Sequence, residues 1–483
     1  VKGCDVVANT ELWRESQQPA GSKFMLYQEP PSVKLEKNTY IDDHLSGHNS
    51  KPEAVQMIDE LTEIIKHGNF TFKSTIFSGD NVDPVKVLGI LWDPKEDKLF
   101  LPVRANHGAK IKGRKIIEDL DLENLWRALP DSVTKRELWR IVMQLYDPLG
   151  LACPLLLKSK LCLREVCISG VDWDQPVPGT LRENFVVSLQ DRAALGGVSF
   201  ERSLVPDKPL GLPTIIGFCD ASNVAYAAIC YLRWPTETGT QVILCCAKSR
   251  VAPLKVESIP RLEMLSCLVL ARLIDSVSKA LPFELAGKLL LSDSTCALSQ
   301  LCSESVLLNT FNSHRCSEIQ QLTKPEEWRW VPTDENIADL ATRGQCTIED
   351  VLPTSRYQQG PAWMRLDESM WPTRMAGAIK TKIPDSEMNP KMLKLRCMAV
   401  QTVDTDFFRI LARRTYKQAR RTMQAVLKAA NLFKMLLVKK RGVAKIDEPA
   451  GDADNSRYYL DHNFSNTYLQ NVCDFFLVSL NQG

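Results

Sequence analysis

Along the chain, apolar residues recur with a period of two in some stretches and near 3.6 in others, and the changes of period divide it. Residues 1–35 are polar and irregular. In Asn38-Thr39-Tyr40-Ile41-Asp42-Asp43-His44, two adjacent acids sit on a turn after an aromatic and a β-branched residue. Ala54, Val55, Ile58, Leu61, Ile64 and Ile65 then take helical spacing behind Pro52. Asn69-Phe70-Thr71-Phe72 and Val87-Leu88-Gly89-Ile90-Leu91-Trp92 read as strands, which predicts an α+β layer over residues 1–115. Residues 116–200 turn helical. Thr134 with Glu137 three positions on has the form of a capping box, Asp147-Pro148-Leu149-Gly150 breaks the pattern, and a second apolar helix covers 155–166. No constellation of reactive residues stands here, so the segment reads as a helical spacer. Residues 180–212 read as a loop-rich linker that Pro206, Pro209 and Pro213 close.

Over residues 201–350 the pattern is denser. Ile215-Ile216-Gly217-Phe218-Cys219 is a buried strand ending in Asp220-Ala221-Ser222, and residues 224–232 and 241–247 follow as two strands across a Gly239-containing loop. Pro260 opens a helix whose apolar face is Leu262, Leu265, Val269, Leu273 and Val277, with Glu263 in its first turn. Leu289-Leu290-Leu291-Ser292 is a fourth strand running into Asp293, and the helix after it passes through Leu298 and Leu301. Residues 327–331 make a fifth strand, and Asp339 opens a last helix. Residues 351–380 read as a linker, 381–445 as a basic helical region, and 446–483 as a loosely ordered tail.

Composition narrows the picture only a little. The 44% apolar content supports real cores in a chain of 483 residues, enough for two to four domains. A formal net charge of +2 selects no partner by itself. Fifteen cysteines without a C-x-x-C pair read as reduced thiols packed in apolar runs, so neither zinc nor a disulfide framework is expected. No apolar stretch approaches the roughly 20 residues of a membrane span, and the N-terminal residues do not resemble a signal peptide. The expected compartment is intracellular, cytoplasmic or nuclear, and reducing.

The candidate chemistry lies in the acids. Asp220, Glu263, Asp293 and Asp339 each stand at the edge of a regular element, where burial is costly unless a cation or donor compensates. Hard divalent cations take oxygen ligands, and two ions about 4 Å apart stabilise both the attacking and the leaving oxygen of a phosphodiester. Lys248, Arg250, Lys255 and Arg261 cluster around the third strand's exit and Glu263, where they could meet an anionic substrate or stand as ordinary surface charges. Asn336 could orient a phosphate or water, or cap the helix after it.

Tyr40-Ile41-Asp42-Asp43 resembles the Tyr-x-Asp-Asp hairpin of reverse transcriptases. Asp147-Pro148-Leu149-Gly150-Leu151, Asp220-Ala221-Ser222, the run from Lys248 to Lys255, Ile259-Pro260-Arg261-Leu262-Glu263, Asp293-Ser294 and Asn336-Ile337-Ala338-Asp339-Leu340-Ala341-Thr342-Arg343-Gly344 resemble, in order, polyproteins of Pao/BEL-type LTR retrotransposons. The resemblance implies an α/β and α+β multidomain chain: a partial polymerase palm, a helical connection, and a ribonuclease H-like mixed five-stranded sheet with helices. It implies two Mg2+ ions, or Mn2+ in their place, on Asp220, Glu263, Asp293 and Asp339, with Asp220 bridging, and a DNA–RNA hybrid as substrate. It gives the palm acids Asp42 and Asp43 no third carboxylate, since no strand is expected ahead of Tyr40 and Asp5 stands too close, so polymerisation is not expected from this chain alone. A catalytically silent relic, or a host-adopted nucleic-acid-binding or structural protein, is the alternative.

Overall fold

The computed structural model describes residues 4–9, 35–36, 38–40, 43–48, 50–103, 129, 132–255, 257–379 and 381–390. The chain divides into two units, Val1–Leu395 and Arg396–Gly483, and the described residues all lie in the first. Asp42 and, beyond residue 390, the expected basic helices and tail lie outside the described residues.

A strand does precede Tyr40, contrary to expectation. β1 (Cys4–Asn9) lies between β3 (Asp43–Gly47) and β4 (Phe72–Ile76), parallel to both, and β2 (Thr39–Tyr40) pairs antiparallel with β3. Asp5 is in register with Asp43. Between β3 and β4 runs α1 (Lys51–Lys66), capped by Ser50 and burying Ala54, Ile58 and Leu61. The single strand expected over 87–92 is a hairpin, β5 (Val85–Val87) and β6 (Ile90–Asp93), turning at Leu88 and Gly89 with φ of 45° and 93°. Positive φ at both turn residues matches the twist of paired strands, which an apolar run conceals. β7 (Lys98–Phe100) and β8 (Ser199–Glu201) complete this antiparallel sheet, and Arg202 grips Asp97 through two hydrogen bonds of 2.5 and 2.6 Å.

The expected capping box forms: Thr134 and Glu137 exchange hydrogen bonds at the start of α2 (Lys135–Met143). α3 (Cys153–Ile168) follows. The expected loop-rich linker instead holds α4 (Gly179–Ala194), which buries Phe185, Ser188, Leu189 and Arg192. Its buried residues are too few and too mixed in polarity for the apolar periodicity to show. These helices are more than a spacer, because α3 faces two cores. Cys162, Leu163 and Val166 pack among the helices, while Cys153, Leu155 and Leu156 pack with the main sheet.

That sheet is mixed and six-stranded among the described residues. β9 (Thr214–Ala221), β10 (Ala225–Thr236) and β11 (Gly239–Val251) form an antiparallel meander, and α5 (Ile259–Ala280) crosses to β12 (Gly287–Ser292), parallel to β9. Next come α6 (Thr295–Leu301) and α7 (Thr310–Leu322), the second of them unforeseen in sequence. Then β13 (Trp328–Trp330) lies parallel to β12, α8 (Leu340–Arg343) and α9 (Arg356–Gln359) follow, and β14 (Arg374–Met375) adds an antiparallel edge. The sixth strand comes from the segment expected to be a linker. That segment buries Tyr357, Trp363, Met364 and Trp371 against the sheet, and Tyr231 donates to the Tyr357 carbonyl at 2.6 Å.

Both faces of the sheet are covered, which is why its strands read as continuous apolar runs. Along β9, Ile216 and Phe218 enter one core with α3, α8 and the 357–371 segment; Ile215 and Cys219 enter the other with α5, α6 and α7. Gly217 lets α5 lie close, since a Cβ there would stand 2.4 Å from Leu270 and 2.7 Å from Ile274. No helix among the described residues is long and apolar enough to cross a membrane.

The Asp147-Pro148-Leu149-Gly150-Leu151 motif docks the helices on the edge strand. Ala247 donates its amide to the Leu149 carbonyl at 2.8 Å, Tyr357 donates to the Gly150 carbonyl at 2.5 Å, and Asp147 accepts the amides of Leu151 and Ala152. Gly150 has φ of +76°, and a Cβ there would lie 2.2 Å from the Ala247 carbonyl oxygen. Backbone cannot yield as a side-chain tip can. Gly150→Ala is expected to cost on the order of 2–4 kcal/mol through strain and overpacking. Thermal unfolding should then show a Tm lower by roughly 5–15 °C; an unchanged Tm contradicts the docking.

Candidate active site

The strand order brings β9 and β12 side by side in parallel, with Ser292 in register with Cys219. Their next residues, Asp293 and Asp220, therefore emerge together at one end of the sheet. Asp220 points to the face that α8 covers, where Thr342 donates to it at 2.5 Å. The approach of α5 at Gly217 carries Glu263 toward the same end. Glu263 is the fifth residue of that helix, beyond the first turn where sequence had put it, so its position owes little to helix capping. Asp339 closes the one-turn 3-10 helix Ile337–Asp339 that leads into α8.

Each acid has a donor of its own. Ser294 donates to Glu263 while also capping α6 through the amide of Ala297. Asn336 donates to Asp293 at 3.0 Å, and Arg343 pairs with Asp339 at 2.6 Å one helical turn on. That last pair is half-exposed and adds little stability.

Burial pushes Asp220 up to about 6; the charges of Asp293 and Asp339 add to this and the Thr342 hydrogen bond opposes it. Burial likewise pushes Glu263 up to about 7, against the Ser294 hydrogen bond and with the charges of Asp293 and Asp220 behind it. Asp339 holds the Arg343 guanidinium above its ordinary value through hydrogen bond and charge, and Asp220 and Asp293 contribute from further off. The four acids thus share one electrostatic neighbourhood. Among the described residues, however, no three His, Cys, Asp or Glu side chains close on a common point as they are turned here. Each leans on its own donor instead.

The basic residues singled out in sequence divide. Lys248 and Arg250 are exposed on β11, either side of Ser249, which lies in one row with Ala227 and Asp220 across three strands. At about 4.8 Å per strand, this puts the β11 backbone roughly 10 Å from that of Asp220. Ser249 donates to the Ala341 carbonyl, so Lys248 and Arg250 project from the opposite face. Lys255 is exposed in the loop that follows. Arg261 is engaged internally, paired with Glu257 at 3.0 Å and lying over the Phe311 ring. Asn336 is buried and holds protein groups. Asp43 belongs to another sheet, in β3 of the β2-β3-β1-β4 order.

Sequence reasoning missed Thr342, Ser294 and Arg343. The signal was present: a hydroxyl residue directly after one strand-end acid, and Thr and Arg three and four positions after another, on one face of a helical turn.

Residues 134–294 match the family model described as the Pao retrotransposon-like RNaseH-like domain. The match opens at the capping threonine of α2 and so takes in the docked helices with strands β9–β12 of the sheet; it includes Asp220, Glu263 and Asp293 and ends before Asp339. No curated protein sequence matches the chain. Among solved structures, a foamy viral protease-reverse transcriptase dRH in complex with double-stranded DNA aligns at 13% identity with a TM-score of 0.36. The alignment covers 62% of this chain and 46% of that one, so this chain spans under half its length. Over residues 134–294, then, this chain is similar to the Pao retrotransposon-like RNaseH-like domain.

Proposed function

We propose that this domain is a ribonuclease H-type endonuclease that hydrolyses the RNA strand of DNA–RNA hybrids with divalent cations as cofactor. The observation that carries the reading is the gathering of Asp220, Glu263, Asp293 and Asp339 at one end of the sheet, where burial first and neighbouring carboxylates second raise Asp220 and Glu263 well above ordinary carboxylates. Perturbed acids gathered at one end of a sheet mark a site. The donor set also fits the ions, because carboxylates offer the hard oxygen ligands that Mg2+ and Mn2+ take. Asp220, Glu263, Asp293 and Asp339 would hold two such ions, with Asp220 shared between them. Bound there, the ions supply Lewis-acid stabilisation of the attacking and leaving oxygens.

The chain's own residues set up that chemistry. Thr342 and Ser294 fix the direction in which Asp220 and Glu263 face. The loop ahead of α8 carries no histidine, and it is fastened: Glu335 accepts from Arg356 at 2.7 Å and from the Trp363 indole at 3.0 Å. With no histidine there, the proton of the attacking water would pass to solvent or to a non-bridging oxygen of the phosphate under attack, and the ribose oxygen that leaves as the P–O bond breaks would take its proton from solvent. Lys248, Arg250 and Lys255 would meet phosphates of the hybrid, and 2′-hydroxyls would mark its RNA strand. A second reading, a nucleic-acid-binding relic without turnover, draws on the internal donor that each acid already has.

A labelled DNA–RNA hybrid incubated with the full chain and Mg2+ separates the two. Cleavage is expected, and Asp220→Asn or Asp293→Asn should reduce it by more than the roughly 10–100-fold typical of losing an outer partner of a metal ligand. Binding without cleavage, in Mg2+ or Mn2+, overturns the enzyme reading.

The raised acids also predict a pH dependence of stability in chelator. Asp220 and Glu263 hold protons more tightly in the folded chain than their ordinary values near 4 allow in the unfolded one. The folded state then binds more protons between those limits, so the stability these acids contribute is complete below about pH 4 and is lost as pH rises through 6 and 7. Thermal unfolding should show Tm falling across this window and the fall flattening in Asp220→Asn and Glu263→Gln. A Tm that rises equally in wild type and variants contradicts it.

A further inference from the structure

We infer that Asn336 is a positioning residue that sets the strand-end acids at their working separation, an inference that rests on the two-ion reading of the site. Its side chain is 3% exposed. The amide nitrogen donates to two acceptors, the Asp293 carboxylate and the Cys219 carbonyl, both at 3.0 Å. The amide oxygen accepts the backbone N–H of Ala338 at 3.3 Å. The backbone carbonyl of Asn336 in turn accepts the amide of Asp339 at 3.1 Å. One residue therefore touches Asp293 directly, Asp220 through the peptide that precedes it, and Asp339 through its own main chain.

The sheet cannot do this itself. The β9–β12 ladder ends at the Cys219–Ser292 pair, so Asp293 lies one residue past the last register position and no ladder bond fixes its side chain. Trp330 holds only the Asp293 main-chain carbonyl, at 3.0 Å. Asn336 takes over where the ladder stops. The chemistry requires an amide: both hydrogens of the nitrogen have acceptors and the oxygen has a donor. Aspartate at this place would set a second carboxylate against Asp293 and against a carbonyl oxygen. Alanine would leave both acceptors without their donor. Neither a phosphate nor a water of the substrate complex is needed to explain the residue, because its polar atoms already have protein partners.

The test is Mn2+ titration of the full chain without nucleic acid, read by the loss of the free-ion paramagnetic signal, followed by kinetics on a DNA–RNA hybrid at saturating metal. Asp220→Asn, expected to abolish tight Mn2+ binding, establishes the reading on which the inference stands. Asn336→Ala is then expected to weaken Mn2+ binding by roughly 10–100-fold and to lower kcat while leaving KM for the hybrid unchanged. Asn336→Asp is expected to weaken it at least as much. If Asn336→Ala does not fold, Asn336→Ser carries the test, since serine keeps the cap of the following turn but is too short to reach Asp293. Wild type without Mn2+ affinity overturns the two-ion reading, and the inference with it. Wild type and Asn336→Ala binding Mn2+ equally, or a raised KM with unchanged Mn2+ affinity, overturns the inference alone and returns Asn336 to substrate contact.

Discussion

The cost of placing acids at the end of a sheet that is buried on both faces governs the rest of this structure. A carboxylate removed from water resists ionising, and a second one nearby resists it further. Asp220 and Glu263 carry both penalties. The fold meets them with fixed donors from elements that arrive late in the chain: Thr342 and Asn336 from around α8, and Ser294 from the cap of α6. These donors hold the acids apart and oriented without neutralising them.

Holding those donors in place requires the surrounding layers. The α8 region is clamped from beneath by Ser249 and Ser222, which donate to the Ala341 and Thr342 carbonyls, and from the side by Arg356 and Trp363 acting on Glu335. Behind it, α3 lies against the same core, docked by the Gly150 loop and the Tyr357 hydroxyl. A ring-to-ring chain of Tyr231, Phe218, Trp363 and Trp371, with centroids 5.1–6.0 Å apart, fills the space between. Helices ahead of the sheet and a segment after it are thus parts of one core, in keeping with a family match that begins at Thr134.

How much of this sequence disclosed depended on whether the information was local. The strands around Asp220 and Asp293, the capping box at Thr134 and the helix opened by Pro260 were legible, because each is written in contiguous apolar periods and cap residues. The four acids were singled out through motif order, which carries no information on how their side chains are turned. The strand at Cys4–Asn9, the helix over 179–194 and the sixth strand at Arg374–Met375 were not, since short or weakly patterned segments take their structure from distant partners. The hairpin at Leu88-Gly89 was hidden by an apolar residue at positive φ. Asn336 was read as orienting a phosphate or water or as a cap; the cap on Ala338 is local and forms, whereas its other partners, Asp293 and the Cys219 carbonyl, are 43 and 117 positions away and left no local signal.

The account turns on whether residues so distant in sequence share ions. Diffraction from crystals of the chain soaked in Mn2+, with the anomalous signal of the metal recorded, addresses this directly. Two peaks are expected among the carboxylates of Asp220, Glu263, Asp293 and Asp339. Mn2+ bound only elsewhere, with these four side chains still turned to Thr342, Ser294, Asn336 and Arg343, would contradict it.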